Sequence, residues 1–265
     1  MPNVDKHTPG SFCWVELGAS DQAAAKQFYQ QLFGWKYREF PMGPSDIYTI
    51  FQIDGRDAAA AYTLRADQKA MGVPPHWLVY VTVQNTDQTA ARVPELGGQV
   101  LAGPFDVGEN GRMAVLRDTA GAVFAIWQPI SHAGIGISGV EGTLCWAELG
   151  TPETDKAKAF YSALFGWEIA LSEHDSSGYL HIKNGEEFIG GVPPAKYLPP
   201  NVPPHWLAYF LVSDCDASAA KAKELGAKLH VEPMSIEHVG RMAVVADPQG
   251  AVFAIFTPEQ RPAQS

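Results

Sequence analysis

Residues 12–17 alternate as a half-buried strand does, with Phe12, Trp14 and Glu16 on one face and Cys13, Val15 and Leu17 on the other. From Asp21 the period lengthens: an Ala-rich stretch carries Phe28, Tyr29 and Leu32 on one helical stripe, and Gly34 stops it as a C-terminal glycine would. Residues 48–53 and 58–64 read as strands on either side of the turn Asp54-Gly55. Residues 76–83 alternate again. Trp77, Val79, Val81 and Val83 share one face, and His76, Leu78, Tyr80 and Thr82 the other. The spacing predicts a second helix near residues 86–96, closed by Gly97-Gly98, and then strands over 113–117 and 122–127 joined by a turn at 118–121. The order is βαβββ, twice.

The same order returns in the second half of the chain. Cys13-Trp14-Val15-Glu16-Leu17-Gly18 reappears as Cys145-Trp146-Ala147-Glu148-Leu149-Gly150, and Phe28-Tyr29 and Phe33-Gly34-Trp35 as Phe160-Tyr161 and Phe165-Gly166-Trp167, all displaced by 132. Pro74-Pro75-His76-Trp77-Leu78 reappears as Pro203-Pro204-His205-Trp206-Leu207, displaced by 129, as do Gly111-Arg112-Met113-Ala114-Val115 and residues 121–126. A period this long marks duplicated domains and not a solenoid. The expected division is residues 1–130, a Gly-rich joint over 131–142 that reads as flexible, and residues 143–265. Residues 11–129 and 143–258 should superpose. The largest differences should fall in 36–73 and 168–202, where the displacement changes.

Composition narrows the function. A net charge of −10 with no run of Lys and Arg argues against a nucleic-acid partner. Apolar runs such as residues 122–127 are too short to span a bilayer, and residues 1–10 hold no apolar export core. Three cysteines, Cys13, Cys145 and Cys215, fit reduced thiols and a cytoplasmic protein.

The βαβββ order, the Phe-Tyr followed by Gly-Trp at each first helix end, and the Asp-x-x-Gly turn before each last strand resemble the vicinal oxygen chelate superfamily, that of glyoxalases, bleomycin-resistance proteins and dioxygenases. The Cys-Trp-x-Glu-Leu start and the Pro-Pro-His-Trp strand are similar to its tandem two-domain, glyoxalase-like branch. The resemblance covers residues 11–258 and implies an α+β fold of two tandem domains, each of two βαβββ units forming a curved mixed sheet with a concave cup for a small ligand. In the family's metalloenzymes His or Glu on the first, fifth and last strands hold a divalent ion. The matching positions here are Trp14, Leu78 and Ala125, and Trp146, Leu207 and Ala254. None of these side chains offers a donor, so neither metal nor cofactor is expected.

Strand parity leaves a polar set on the predicted cup: Trp14, Glu16, His76, Tyr80 and Ala125 in the first copy, and Trp146, Glu148, His205, Tyr209 and Ala254 in the second. Glu16, His76, Glu148 and His205 are the candidates for acid–base work, and the alternative is that they pair with one another or with backbone at the rim. The remaining candidates each have an ordinary packing or turn-forming alternative. Trp14, Trp146, Tyr62 and Phe105 either stack on a ligand or pack a core. Arg112 and Arg241 either clamp a carboxylate or bond the preceding loop. Asp118 and Asp247 read as turn formers, and Cys13 and Cys145 as small buried hydrophobes. His174 and His181 occur only in the second copy, so the two cups should differ in ligand or only one should be used. The leading expectation is a metal-independent binder of a small aromatic or amphipathic molecule, as a monomeric pseudo-dimer or a homodimer. The alternatives are a lyase, isomerase or oxygenase-like enzyme, and an interaction scaffold without ligand.

Overall fold

The computed structural model describes residues 3–43, 46–171 and 177–259. In the first copy the order is β1 (Phe12–Ala19), α1 (Gln22–Phe33), β2 (Lys36–Pro41), β3 (Ile47–Ile53), β4 (Arg56–Thr63), α2 (Ala66–Ala70), β5 (His76–Thr82), α3 (Thr86–Glu95), β6 (Gln99–Val107), β7 (Gly111–Arg117) and β8 (Val123–Pro129). The second copy repeats it as β9 (Leu144–Gly150), α4 (Thr154–Phe165), β10 (Glu168–Leu171), β11 (Leu180–Asn184), β12 (Glu187–Val192), β13 (His205–Leu211), α5 (Cys215–Glu224), β14 (Lys228–Ile236), β15 (Gly240–Ala246) and β16 (Val252–Pro258). Helix starts follow from capping. The Asp21 carboxylate accepts from the amides of Ala23 and Ala24, and Asp214 does the same for Ala217. Gly34 and Gly166 end α1 and α4 in the left-handed region, at φ 72° and 77°.

Each copy closes into one eight-stranded mixed sheet, ordered β2-β3-β4-β1-β5-β8-β7-β6 and β10-β11-β12-β9-β13-β16-β15-β14. The fold is α+β, as expected. The central pair β1 and β5 runs antiparallel, while β1 with β4 and β5 with β8 run parallel. Trp14 therefore faces Tyr80, and Tyr80 lies beside Ala125.

One part of the predicted parity is corrected. The β1–β5 register shifts between Phe12 and Trp14, and the β9–β13 register shifts at the matching place. A bulge at Cys13 adds a residue, which moves everything before it to the other face. Phe12 thus joins Val15 and Leu17 under the helices, its ring 5.5 Å from Trp167 and 5.2 Å from Trp206. Cys13 joins the cluster of Trp14, Leu78 and Tyr80 on the other face.

The helix-facing sides of the two sheets share one apolar core. It includes Val15, Leu17, Trp77 and Val79 from the first copy and Ala147, Leu149, Trp206 and Phe210 from the second. Two reciprocal hydrogen-bond chains cross it. Trp77 Nε1 donates to Tyr29 Oη at 3.0 Å, and Tyr29 donates to Asp247 at 3.0 Å. Trp206 donates to Tyr161 at 2.8 Å, and Tyr161 to Asp118 at 3.0 Å. The other oxygen of Asp118 accepts the amides of Ala120, Gly121 and Ala122, so this turn former also bridges the copies. No described helix is long and apolar enough to cross a membrane.

Residues 131–142, expected to be a flexible joint, are tied down by both sheets. Ile135 N donates to Cys13 O and Gly136 N to Asp57 O on the outer face of the first sheet, and Gly142 N donates to Leu211 O of β13 in the second. The side chains of Ile135 and Ile137 are buried. Gly134, at φ 122°, lies so close to β1 that a Cβ there would collide with Cys13 O, which only glycine avoids.

Candidate functional site

The outer face of each sheet is built around one carboxylate. Glu16 lies mid-strand on β1 opposite Leu78. Its two oxygens accept hydroxyls from Tyr48 at 2.6 Å and Tyr80 at 2.8 Å, and Trp14 Nε1 donates to Tyr48 Oη at 3.2 Å. Burial raises the Glu16 carboxyl above its usual range, opposed by the two hydroxyls and by the charge of Arg65. In the second copy Tyr179 donates to Glu148 at 3.1 Å, and Trp146 Nε1 donates to Tyr179 at 2.9 Å. There burial outweighs the hydroxyls of Tyr179 and Tyr209 and pushes the Glu148 carboxyl up to about 7. Tyr179 reaches Glu148 across β12 because residue 191 is glycine, where a Cβ would run into the tyrosine ring.

Tyr48 and Tyr179 were not singled out from sequence. They are displaced by 131, inside the stretch where the offset drifts from 132 to 129, and a one-residue gap recovers the pair. Conversely, His76 and His205 share a face with the carboxylates by register but bond elsewhere. Their Nδ1 atoms lie 2.8 and 2.9 Å from the carbonyls of Pro74 and Pro203, two residues back. The rim-holding alternative is the one this geometry matches.

The two faces differ in cover. Ala125 and its counterpart Ala254 are fully buried alike, but in the first copy Cys13, Trp14, Glu16 and Trp127 are all buried too. The strap 131–137 is the reason: the His132 ring stands edge-on to Trp14 with centroids 5.0 Å apart, and Ile135 packs into the same cluster. Asp57 anchors the strap through His132 Nε2 at 3.1 Å. His7 adds a contact to Ile135 O at 2.9 Å. In the second copy Cys145, Trp146, Glu148 and Phe256, the counterparts of the four, are each only half-buried.

His181 stands on this second face, level with Gly191 and through it with Glu148. Its ring lies 6.5 Å from Trp146, 5.2 Å from Tyr179 and 5.3 Å from Phe188. The corresponding residues of the first copy are Ile50 and, for Phe188, Asp57, as the β3–β4 and β11–β12 registers show. His174 lies outside the described residues.

The other candidates are engaged elsewhere. Arg112 forms a two-pronged ion pair with Asp87 and a bond to Asp106, and Arg241 pairs with Asp216, so neither is free to clamp a ligand. Tyr62 accepts from Gln68, and Phe105 is exposed on its strand. Burial raises both Cys13 and Cys145, the latter to about 12, which leaves neither a thiolate at neutral pH. Trp14, Leu78 and Ala125, and their counterparts Trp146, Leu207 and Ala254, supply no donor for the family's divalent ion. No three His, Cys, Asp or Glu come together to replace them among the described residues. Two surface hollows of about 450 and 310 Å³ include none of these outer-face residues.

A model of the Glyoxalase/Bleomycin resistance protein/Dioxygenase superfamily matches residues 11–126 and 143–255. CFP32 of Mycobacterium tuberculosis, whose name assigns it provisionally to the glyoxylases, is 40% identical over 97% of this chain and 98% of its own length. The anthracycline biosynthesis protein DnrV of Streptomyces peucetius is 34% identical over 95% of this chain and 94% of its own. Among solved structures, the Mn(II)-bound glyoxalase of Novosphingobium aromaticivorans shares the fold with a TM-score of 0.64 at 14% identity, over 97% of this chain and 83% of that one. A variant of homoprotocatechuate 2,3-dioxygenase from B. fuscum does so with 0.65 at 13%, over 98% and 74%. With the family's sheet order present in both halves and its model matched in both, the chain belongs to the glyoxalase/bleomycin resistance protein/dioxygenase superfamily.

Proposed function

We propose that this chain binds a small organic molecule on the outer face of its second sheet, at Trp146, Glu148, His181 and Tyr209, without a metal ion. One observation carries the reading. The two faces repeat the same carboxylate and tyrosines, yet the strap closes the first and leaves the half-buried Trp146 and Glu148 of the second accessible. A mostly apolar lining with a few convergent polar groups is what small-molecule sites present. The donor-poor set Trp146, Leu207 and Ala254 supports binding that needs no ion. Names such as glyoxylase and anthracycline biosynthesis protein among the relatives fit a small organic ligand.

Titration with the amphipathic dye 1-anilinonaphthalene-8-sulfonate tests this. The expected result is one equivalent bound per chain, retained after dialysis against EDTA and lost in Trp146→Leu while that variant keeps the far-UV circular dichroism of the unaltered chain. Absence of binding, or loss on EDTA treatment, would contradict it.

A second reading is favoured by the Glu148 carboxyl lying near 7. A carboxyl poised there both accepts and returns a proton at neutral pH, as a lyase or isomerase requires. Under this reading Glu148→Gln abolishes turnover and spares binding.

A further inference from the structure

Gly191 lies in the interior of β12, level with Glu148 on one side and His181 on the other. Glycine inside a strand weakens it relative to alanine, so its presence there marks a close approach. Its neighbour Gly190 has that reason in the backbone, since a Cβ there would stand 2.4 Å from Ala147 O. Gly191 has a different one. Its φ is not positive, and the three atoms nearest to a Cβ built on it all belong to Tyr179, at 2.2 to 2.3 Å. Cε1, Cζ and Oη of that ring rest on the strand's backbone, in the space a side chain would take.

The first copy shows the other arrangement. Ala60 holds the matching place, level with Glu16 and Ile50, and is wholly buried in the cluster under the strap. A real Cβ does not tolerate ring atoms at such distances, so the ring of Tyr48 stands farther off Ala60 than Tyr179 stands off the same point on β12. Tyr48 nevertheless donates to Glu16 at 2.6 Å, against 3.1 Å for Tyr179 and Glu148. A tyrosine held higher can therefore reach the carboxylate past a Cβ, and the bond by itself does not call for glycine. What glycine adds is a ring that lies lower.

We propose that Gly191 sets the depth of the second face: it lets Tyr179 lie down along β12, and the room left above the ring admits a molecule broader than an alkyl chain. The inference rests on the second face being the ligand site. A methyl group at 191 forces the ring outward by about 1 Å, because a Cβ ordinarily meets other atoms at 3.4 Å or more. Tyr179 Oη also accepts from Trp146 Nε1 at 2.9 Å, so phenol and indole move together. The raised ring takes its thickness from the cup. A broad ligand then loses its place, whereas a single chain of methylenes still fits beside the ring.

The test is calorimetric titration of the full chain with two sulfonates: 1-anilinonaphthalene-8-sulfonate, which is broad, and 1-decanesulfonate, which is a single chain. Gly191→Ala should weaken the first by about tenfold or more and the second by less than about twofold. In a Tyr179→Ala background, where there is no ring to raise, adding Gly191→Ala should change neither by more than about twofold. Unchanged affinity for the dye in Gly191→Ala, equal loss of both sulfonates, or the same loss without the ring would overturn the inference while leaving the second face as the site. Binding of neither probe by the unaltered chain, or retention of the dye in Trp146→Leu, would overturn both. Should Gly191→Ala fail to fold, Tyr179→Ala decides alone. Removing the floor should raise the dye's affinity relative to that of 1-decanesulfonate by about threefold or more, and an unchanged or lower ratio would overturn the inference.

Discussion

At the scale of single residues, the two carboxylates show how one motif is given two states by its cover. Glu148 keeps its proton up to about pH 7 when folded, against an ordinary carboxyl value near 4.5. A raised folded value means that Glu148 adds stability below pH 4.5, and that this is lost as pH rises through 7. Glu148→Gln should therefore leave stability unchanged at pH 4 and raise it by up to about 2–3 kcal/mol at pH 8, read from urea unfolding at both pH values. Equal effects at both would contradict the burial of this group. On the other face, Tyr48→Phe removes one of the two hydroxyls on Glu16 and strands the Trp14 indole N–H, so a loss of about 1–3 kcal/mol is expected. Glu16, Tyr80 and their counterparts were legible because alternation along a strand fixes which face a residue takes. The roles of His76 and His205 were not, because a side chain that curls to its own backbone two residues away leaves no trace in periodicity.

At the scale of elements, the strands found from pattern are those with an apolar face, and β2 and β6 escaped. Every residue of β2 is exposed, and the half-exposed β6 carries Pro104. Both lie at sheet edges, where pairing rather than burial defines the strand. The bulge at Cys13 was invisible for a related reason: one extra residue leaves composition intact and changes only register. The strap is the element whose reading changed most. Its glycines suggested slack, yet Gly134 is there so that the backbone can lie against β1. Asp57→Ala removes the carboxylate that holds His132, Gln52 and Arg38. The amides of Ile135 and Gly136 should then exchange with solvent at least tenfold faster while those of β5 keep their protection. Unchanged exchange would show that the strap is held by its apolar contacts alone. Under the strap, Ala125 has no exposed surface, so Ala125→Phe should cost about 1–3 kcal/mol by overpacking, measured by thermal unfolding.

At the scale of the molecule, the repeat predicted two copies of one fold, and the structure joins them through a common core that a repeat alone does not disclose. Tyr29 and Tyr161 each sit between a tryptophan of their own copy and an aspartate of the other. The two halves should consequently unfold in one transition. Tyr29→Phe, which strands Asp247 and the Trp77 N–H, should lower its midpoint without splitting it, at a cost of at least about 2 kcal/mol. Two resolved transitions in calorimetry would mean that the halves are independent. On the proposed function, the chain has two matching sheets of which the second alone takes a ligand. The measurement that bears on this most directly is fluorine NMR of protein labelled with 5-fluorotryptophan, titrated with 1-anilinonaphthalene-8-sulfonate. The account predicts that the Trp146 resonance, assigned through Trp146→Phe, shifts and saturates at one equivalent while Trp14 stays in place. A shift at Trp14, or none at Trp146, would contradict it.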